Sequence, residues 1–412
     1  MSARRSSTPR HRAASAAPAL AMALAALGLA PAAGRASSCP MSTAVAPHAS
    51  TSLERGPAAR SLPTHPRVYL TRRDVWRIRR VVAAGAEPWK TAFDDAMARA
   101  QRALALRPQS VTAGGQDAGS HDYRTDPPYT DADGIIDPTA DRADYDAAVA
   151  VSGAVRDLGI AYALTGTRRY AAKALQLIEA WALDPATRMT PRFTNGQSHI
   201  ELSITMPALV YGADLVWSHP AWSGAQRVGF AAWVRALLAS ARTWSAEQNY
   251  ENWRHVLVAT AAAFVDDVPS MGYAFRRFRA VIGHQMSARG EMVLELKRSR
   301  SLFYSTFALD AMLQTAEVAR LHGVDLYDYT TSAGKGLERA LDFHAPYVAR
   351  PATWPHPQIT DYEGENAAMY ELAWAHWGKP AYRRAIERWG RPSIEERVLG
   401  PVTLTHARPL RK

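Results

Sequence analysis

Between Leu294 and Tyr304 the chain reads Leu-Glu-Leu-Lys-Arg-Ser-Arg-Ser-Leu-Phe-Tyr, three cations followed within a few residues by a phenol. That pairing suits proton transfer next to a carboxylate. β-Elimination from a uronic acid makes three demands: the C6 carboxylate charge must be offset, the C5 proton removed, and the C4 oxygen protonated as it leaves. Arg, Asn, Gln or His answers the first by stabilising the charge that develops. Tyr or His answers the other two, and a single Tyr can perform both transfers when proton and leaving oxygen lie on one face of the ring. Arg298, Arg300 and Tyr304 are therefore the first candidates, although the segment alone reads as readily as surface cations followed by a half-buried packing tyrosine.

Three further stretches carry side chains of the right types. Asn195-Gly196-Gln197-Ser198-His199 opens a helical segment, where a polar group can meet an anion near the positive helix end; a capping or partly buried histidine is the alternative. Gln248-Asn249-Tyr250-Glu251-Asn252-Trp253-Arg254-His255 offers Asn249, Asn252 and His255 for carboxylate binding, with the asparagines readable equally as helix caps and His255 as a packed residue. Trp253 is the aromatic expected in a cleft as a sugar platform, while most of the others read as core. In the loop at Ser120-His121-Asp122-Tyr123, His121 and Tyr123 suit sugar hydroxyls and carboxylates.

The elements that must position these groups are helical. Val151, Val155, Leu158 and Tyr162 fall on one helical stripe, as do Phe230, Trp233 and Leu237. About a dozen such segments follow one another from Thr71, many joined by turns as short as Thr165-Gly166-Thr167. Short links force antiparallel neighbours. A long series of hairpins buries its apolar faces best by curling into an (α/α) toroid or incomplete (α/α) barrel with a cleft at one end; an open solenoid is the alternative. The expected class is all-α, with one domain over residues 63–412. Residues 113–142, rich in Gly, Pro and Asp, read as a long loop of the kind that forms lids or binding loops.

Composition narrows the function classes. Arg4, Arg5, Arg10 and Arg12, an apolar run over 16–33 and small residues before Cys39 read as an export signal over residues 1–39, followed by a Ser/Ala/Pro-rich lead-in over 40–62. The expected location is periplasmic or secreted, with lipidation of Cys39 as an alternative to a plain leader. A single cysteine excludes an internal disulfide or a cysteine-based metal centre. Loss of residues 1–39 removes five arginines and no acidic residue, lowering the net charge from +11 to +6, which favours a polyanionic partner. Nucleic-acid signatures are absent, and the arginines are scattered. Neither HExxH nor a nucleotide-binding glycine motif occurs, so no metal or organic cofactor is expected; Asp131, Asp133 and Asp137 only superficially suggest a calcium loop.

Four ordered blocks over roughly residues 65–350 resemble the alginate lyase family. They are the His121–Tyr123 loop with the run from Asp131 to Arg142, the Trp181–Met189 stretch with Asn195-Gly196-Gln197 after it, the Asn249/Trp253 stretch, and Glu295–Arg298 with Tyr304–Leu309. The resemblance implies an (α/α) toroid that cleaves an acidic polysaccharide without a cofactor. It implies Tyr304 as the proton-transferring residue and Arg298, with Asn249 and His199, at the carboxylate. The resemblance also places Asn195, Gln197, His121 and Tyr123 in substrate-facing loops, and Asn252, Trp253, His255 and Arg300 are expected to line the substrate from their types. The chain departs from the family where an "NNH-x-x-W" stretch is common, having Tyr250 after Asn249, so that His199 or His255 would have to replace the histidine, or the enzyme does without it. Two alternatives stay open: a glycoside hydrolase using two of Asp122, Glu201 and Glu295, and a binding protein that kept the fold without activity.

Overall fold

A computed structural model describes residues 62–130 and 134–410. The leader, Cys39, nearly all of the lead-in, and Asp131 and Asp133 lie outside the described residues. Among the described residues there are α-helices and isolated bridges but no β-strand.

The helices follow in chain order as α1 (Arg72–Ala83), α2 (Trp89–Ala103), α3 (Ala143–Thr165), α4 (Arg168–Ile178), α5 (Gly196–Val216), α6 (Gly224–Thr243), α7 (Gln248–Val265) and α8 (Val268–Gln285). After them come α9 (Ser301–Leu321), α10 (Leu337–Ala349), α11 (Tyr370–Trp377), α12 (Pro380–Trp389) and α13 (Val402–His406). Local chemistry sets their ends. Reciprocal capping boxes start α1 (Thr71/Asp74), α5 (Asn195/Ser198) and α6 (Ser223/Gln226), and left-handed residues stop α3 at Gly166 and α11 at Gly378. The link after α9 is longer than its Gly323-Val324-Asp325 turn suggests: α10 begins at Leu337 because Gly334 and Gly336 close a small bridged turn first.

Helices α5, α7 and α9 are buried around almost their whole circumference, whereas α4, α6, α8 and α10 bury one face. The first set forms an inner layer with α3, packed side by side in the order α3, α5, α7, α9. The second set returns the chain outside it. At its far end the chain closes on its start, with α13 packed on α2 and Arg77 of α1 donating to the Thr405 carbonyl. This is an (α/α) toroid.

Contact between α3 and α5 depends on glycine. A Cβ on Gly212 would sit 2.3 Å from the Val155 carbonyl oxygen, so only a bare backbone allows the two inner helices to approach this closely.

Candidate active site

Hairpin alternation makes the four inner helices run in one direction, so the starts of α3, α5, α7 and α9 gather at one end of the toroid. Side chains tie these starts together in sequence. Arg142, just before α3, pairs with Glu201 of α5. His199 of α5 lies 5.9 Å, ring to ring, from Tyr250 of α7. Gln248, first residue of α7, faces Arg298 Nη1 at 3.5 Å, just ahead of α9. The positive helix ends therefore converge with Arg142, Arg298 and Arg300, a setting suited to an anion.

At the centre of this end the Arg298 guanidinium carbon lies 3.7 Å from the centroid of the Tyr304 ring. Glu295 anchors the neighbourhood: it accepts from the Asn249 backbone N–H at 2.7 Å and from its side-chain amide at 3.1 Å, and stands 4.0 Å from Arg298. Arg298, Asn249 and Tyr304 thus come together, as the sequence suggests. The phenol does not stand at an open mouth, however: Tyr304 is 0% exposed. The long loop reaches this end at Arg300. Tyr129 Oη accepts from Arg300 Nη1 at 3.2 Å, and a Cβ at Gly134 would meet the Arg300 side chain at 2.9 Å. Arg300 is further held by Glu365 at 3.2 Å.

His199 sits in an aromatic box of Phe193, Trp244 and Tyr250. Burial, with Arg254 nearby, lowers its pKa to about 4, so the ring is neutral at ordinary pH, and its buried Nε2 has no hydrogen-bond partner. It can donate or accept a hydrogen bond at the site, but it brings no positive charge.

Several expected substrate contacts are corrected by the packing. Trp253 is buried, 5.0 Å from Phe307, with Arg397 over both rings, and does not line a cleft. Asn252 is buried and donates to Gln285 of α8 at 2.8 Å. His255 belongs to a buried cluster in which Glu251 accepts from Arg254 at 2.6 Å, from Arg277 at 3.0 Å and lies 2.9 Å from His255 Nε2. Burial alone would raise the Glu251 carboxyl, but the hydrogen bonds from His255 and Arg254 outweigh it and hold the group well below its ordinary value. Asn195 caps α5 with its side chain. Tyr123 and Gln197 are buried and both donate to Glu201, at 2.8 and 2.6 Å. His121 is only part-covered, but its Nδ1 is engaged by the Arg188 carbonyl at 2.7 Å, on a groove shared with Trp233 on the outer layer.

Two clusters escaped sequence reasoning. Glu201 also accepts from Thr125 at 2.6 Å, so this one carboxylate, on α5 with Gln197, pins the long loop to α5 through three loop-side donors, Tyr123, Thr125 and Arg142. The i, i+3 and i, i+4 spacing of Glu251, Arg254 and His255 was a readable signal for the second cluster. Among the described residues no group of three His, Cys, Asp or Glu is placed to hold a metal ion.

An all-helical toroid whose inner helix starts converge on arginines beside a phenol is a fold suited to holding an anionic chain. The sequence pattern of the alginate lyase family matches residues 87–354, and the chain belongs to that family; it is a polysaccharide lyase. Among solved structures, an alginate lyase from Bacteroides ovatus is similar at 22% identity and a TM-score of 0.74, over 84% of this chain and 100% of that one. Alginate lyase A1-III from Sphingomonas species A1 is similar at 19% identity and a TM-score of 0.61, over 84% and 100%. A histidine-to-alanine variant of A1-III complexed with a tetrasaccharide is similar at 20% identity and a TM-score of 0.59, over 76% and 94%. Among curated proteins no relative matches the chain.

Proposed function

We propose that the protein cleaves alginate or a closely related uronate polymer by β-elimination, with Tyr304 as the catalytic base and Arg298 at the substrate carboxylate. The observation that carries this reading is the Arg298 guanidinium 3.7 Å from the Tyr304 ring at the end where the inner helices start. In the reaction Tyr304, acting as its phenolate, takes the C5 proton, the C5–H electron pair forms the C4–C5 double bond, and the C4–O bond breaks with its electrons passing to the oxygen, which takes that proton back from Tyr304 when hydrogen and oxygen share a face of the ring. Negative charge builds on the C6 carboxylate as the proton leaves, and cations fixed beforehand stabilise it without reorganising. Asn249, held by Glu295, supplies further polarity beside Arg298.

Tyr304 is 0% exposed, so the reading requires the side chains packed over the phenol to part for substrate.

The hydrolase alternative asks for two facing carboxyls about 5 to 9 Å apart. Glu201 is saturated by four donors and Glu295 is committed to Asn249. The Arg192 hydrogen bond holds Asp122 below the usual carboxylate range, the wrong direction for an acid catalyst. The lyase reading is therefore preferred.

Incubation with polymannuronate, polyguluronate, glucuronan and hyaluronan, followed by ultraviolet absorbance of the new double bond, tests it. Tyr304→Phe should abolish unsaturated product while near-ultraviolet circular dichroism stays native. A Tyr304→Phe protein that still eliminates removes Tyr304 from the mechanism.

A further inference from the structure

Helix α1 carries five arginines in twelve residues, Arg72, Arg73, Arg77, Arg79 and Arg80, and elimination uses none of them. Its apolar residues face inward: Ile78 is buried, and Val75 and Val82 pack against the core. The outer face therefore presents Arg72, Arg73, Arg79 and Arg80, all exposed, around Trp76, which is 60% exposed. Trp76 stands three or four residues from each of them, so the indole and the four guanidinium groups lie on neighbouring rows of one helix surface.

The charge on this face is not neutralised. The one acid of the helix, Asp74, spends its carboxylate on Thr71 in the cap, at 2.6 and 2.9 Å. The arginines turn instead to uncharged groups: Arg72 donates to the His65 carbonyl, Arg77 to that of Thr405 and Arg79 to that of Ala163, while Arg80 lies 5.2 Å from the Trp76 ring centroid. Among the described residues none of the five forms an ion pair with a carboxylate. The helix also lies far from the catalytic pair. Asp74 and Arg77 share a cavity with Glu317 and Arg320 near the finish of α9, and Arg79 bonds the last turn of α3. Glu317 comes 13 residues after Tyr304, about 20 Å along the helix axis.

We infer that the outer face of α1 is a second binding surface for an anionic polysaccharide, holding a distal stretch of the polymer that is cleaved at the other end of the toroid. The arginines take carboxylates of the chain through charge-assisted hydrogen bonds, and the Trp76 indole offers a flat apolar face to a sugar ring. A chain held here is presented to the catalytic end at raised local concentration. The identity of the polymer rests on the lyase reading above. A basic helix that met a membrane would need its apolar side outward, whereas here that side is packed into the core and a single indole is left to enter lipid.

The experiment uses the full chain carrying Tyr304→Phe as parent, and compares it with the same chain further changed by Arg73→Gln, Trp76→Ala and Arg80→Gln. Affinity electrophoresis through gels containing polymannuronate, polyguluronate or neutral dextran gives the Kd. The triple change should weaken binding to the uronans by about tenfold, the scale of two surface ion pairs and one ring contact. Binding of the parent should also weaken as salt is raised, and neither protein should be retarded by dextran. A charge-matched control, Arg276→Gln with Arg384→Gln, exposed on α8 and α12, should change Kd less than about twofold, because charges far from the bound chain are screened. Melting temperatures within a few degrees of the parent show that no variant fails by unfolding. Unchanged retention in the triple variant overturns the inference, and so does equal weakening in the control, which would mean diffuse attraction by net charge. Capture of the parent by phosphatidylcholine–phosphatidylserine vesicles more tightly than by the uronans overturns it in favour of a membrane surface. The lyase reading is judged apart from this: a wild type that forms no double bond on any uronan overturns that reading, while the gels still decide whether α1 holds the chain.

Discussion

Arg298 carries its guanidinium 3.7 Å from the centre of the Tyr304 ring, and both side chains are withdrawn from solvent. A planar cation against an aromatic face gains from the ring's quadrupole, and more so where water is excluded. The pair is thus assembled before substrate arrives, with Glu295 and Gln248 setting the position of the cation from the other side.

Lysine cannot reproduce this arrangement, because an ammonium is a point charge without the planar fork. Arg298→Lys should lower kcat/KM on the polymer substrate by about 100-fold, the scale of one lost charge-stabilising contact. Initial rates of double-bond formation measure it, and a change under about threefold would mean that Arg298 acts only in packing.

Glu201 joins Arg142, Thr125 and Tyr123 on the loop side to Gln197 on α5. Replacing it with Gln leaves Arg142, largely covered, without its counter-ion. Breaking one partner of a buried pair costs about 3 to 5 kcal/mol, and part of the loop's register on α5 should go with it. Denaturant unfolding of Glu201→Gln should show a loss near the lower figure, since Arg142 keeps its bond to the Asp126 carbonyl, and limited proteolysis should cut first within residues 113–142. Undiminished stability would show that the loop is anchored elsewhere.

The helical class and most element positions were legible because short turns and 3.6-residue spacing survive in the sequence. Helix α3 starts and ends where its pattern does, while α5 begins four residues earlier than its apolar run because Asn195 and Ser198 cap it there. The Arg298–Tyr304 pairing was legible from its types and from the family resemblance. The roles of Trp253, Asn252 and His255 were not, for a physical reason. Helix α7 is buried around its whole circumference, so its periodicity carries no sign of which side faces the substrate end and which faces α8. On such a helix only the contacts decide, and they send Asn252 to Gln285 and Trp253 to Phe307.

Acid should weaken the fold through His199. Burial lowers its pKa from 6.5 to about 4, so the folded protein resists a proton that the unfolded chain accepts. The unfolded state therefore binds more protons between those two values, and stability falls as pH drops from about 6.5 toward about 4, then levels once both states are protonated. The effect is on the order of 3 kcal/mol for a shift of this size, and His344, buried and lowered to about 4 by the same cause, adds in the same direction. Urea midpoints at pH 7 and pH 5 should differ for wild type and differ less for His199→Phe, whose ring suits the box of Phe193, Trp244 and Tyr250. Equal pH dependence in the two proteins would assign the acid sensitivity to other groups.

Gly212 offers the most direct test of the inner layer. A methyl there would fall 2.3 Å from the Val155 carbonyl oxygen and 2.6 Å from the Arg156 backbone nitrogen, both main-chain atoms of α3 that no side-chain rotation can move aside. Gly212→Ala must push α3 and α5 apart, although in an unobstructed helix the same change would stabilise by about 1 kcal/mol. Overpacking of this kind costs about 3 kcal/mol or more, and the displacement would run along α5 toward Glu201 and His199. The expected result is a lower urea midpoint accompanied by reduced kcat, with neither relieved by added substrate. A Gly212→Ala protein as stable as wild type would show that the contact of α3 with α5 at this glycine does not limit stability.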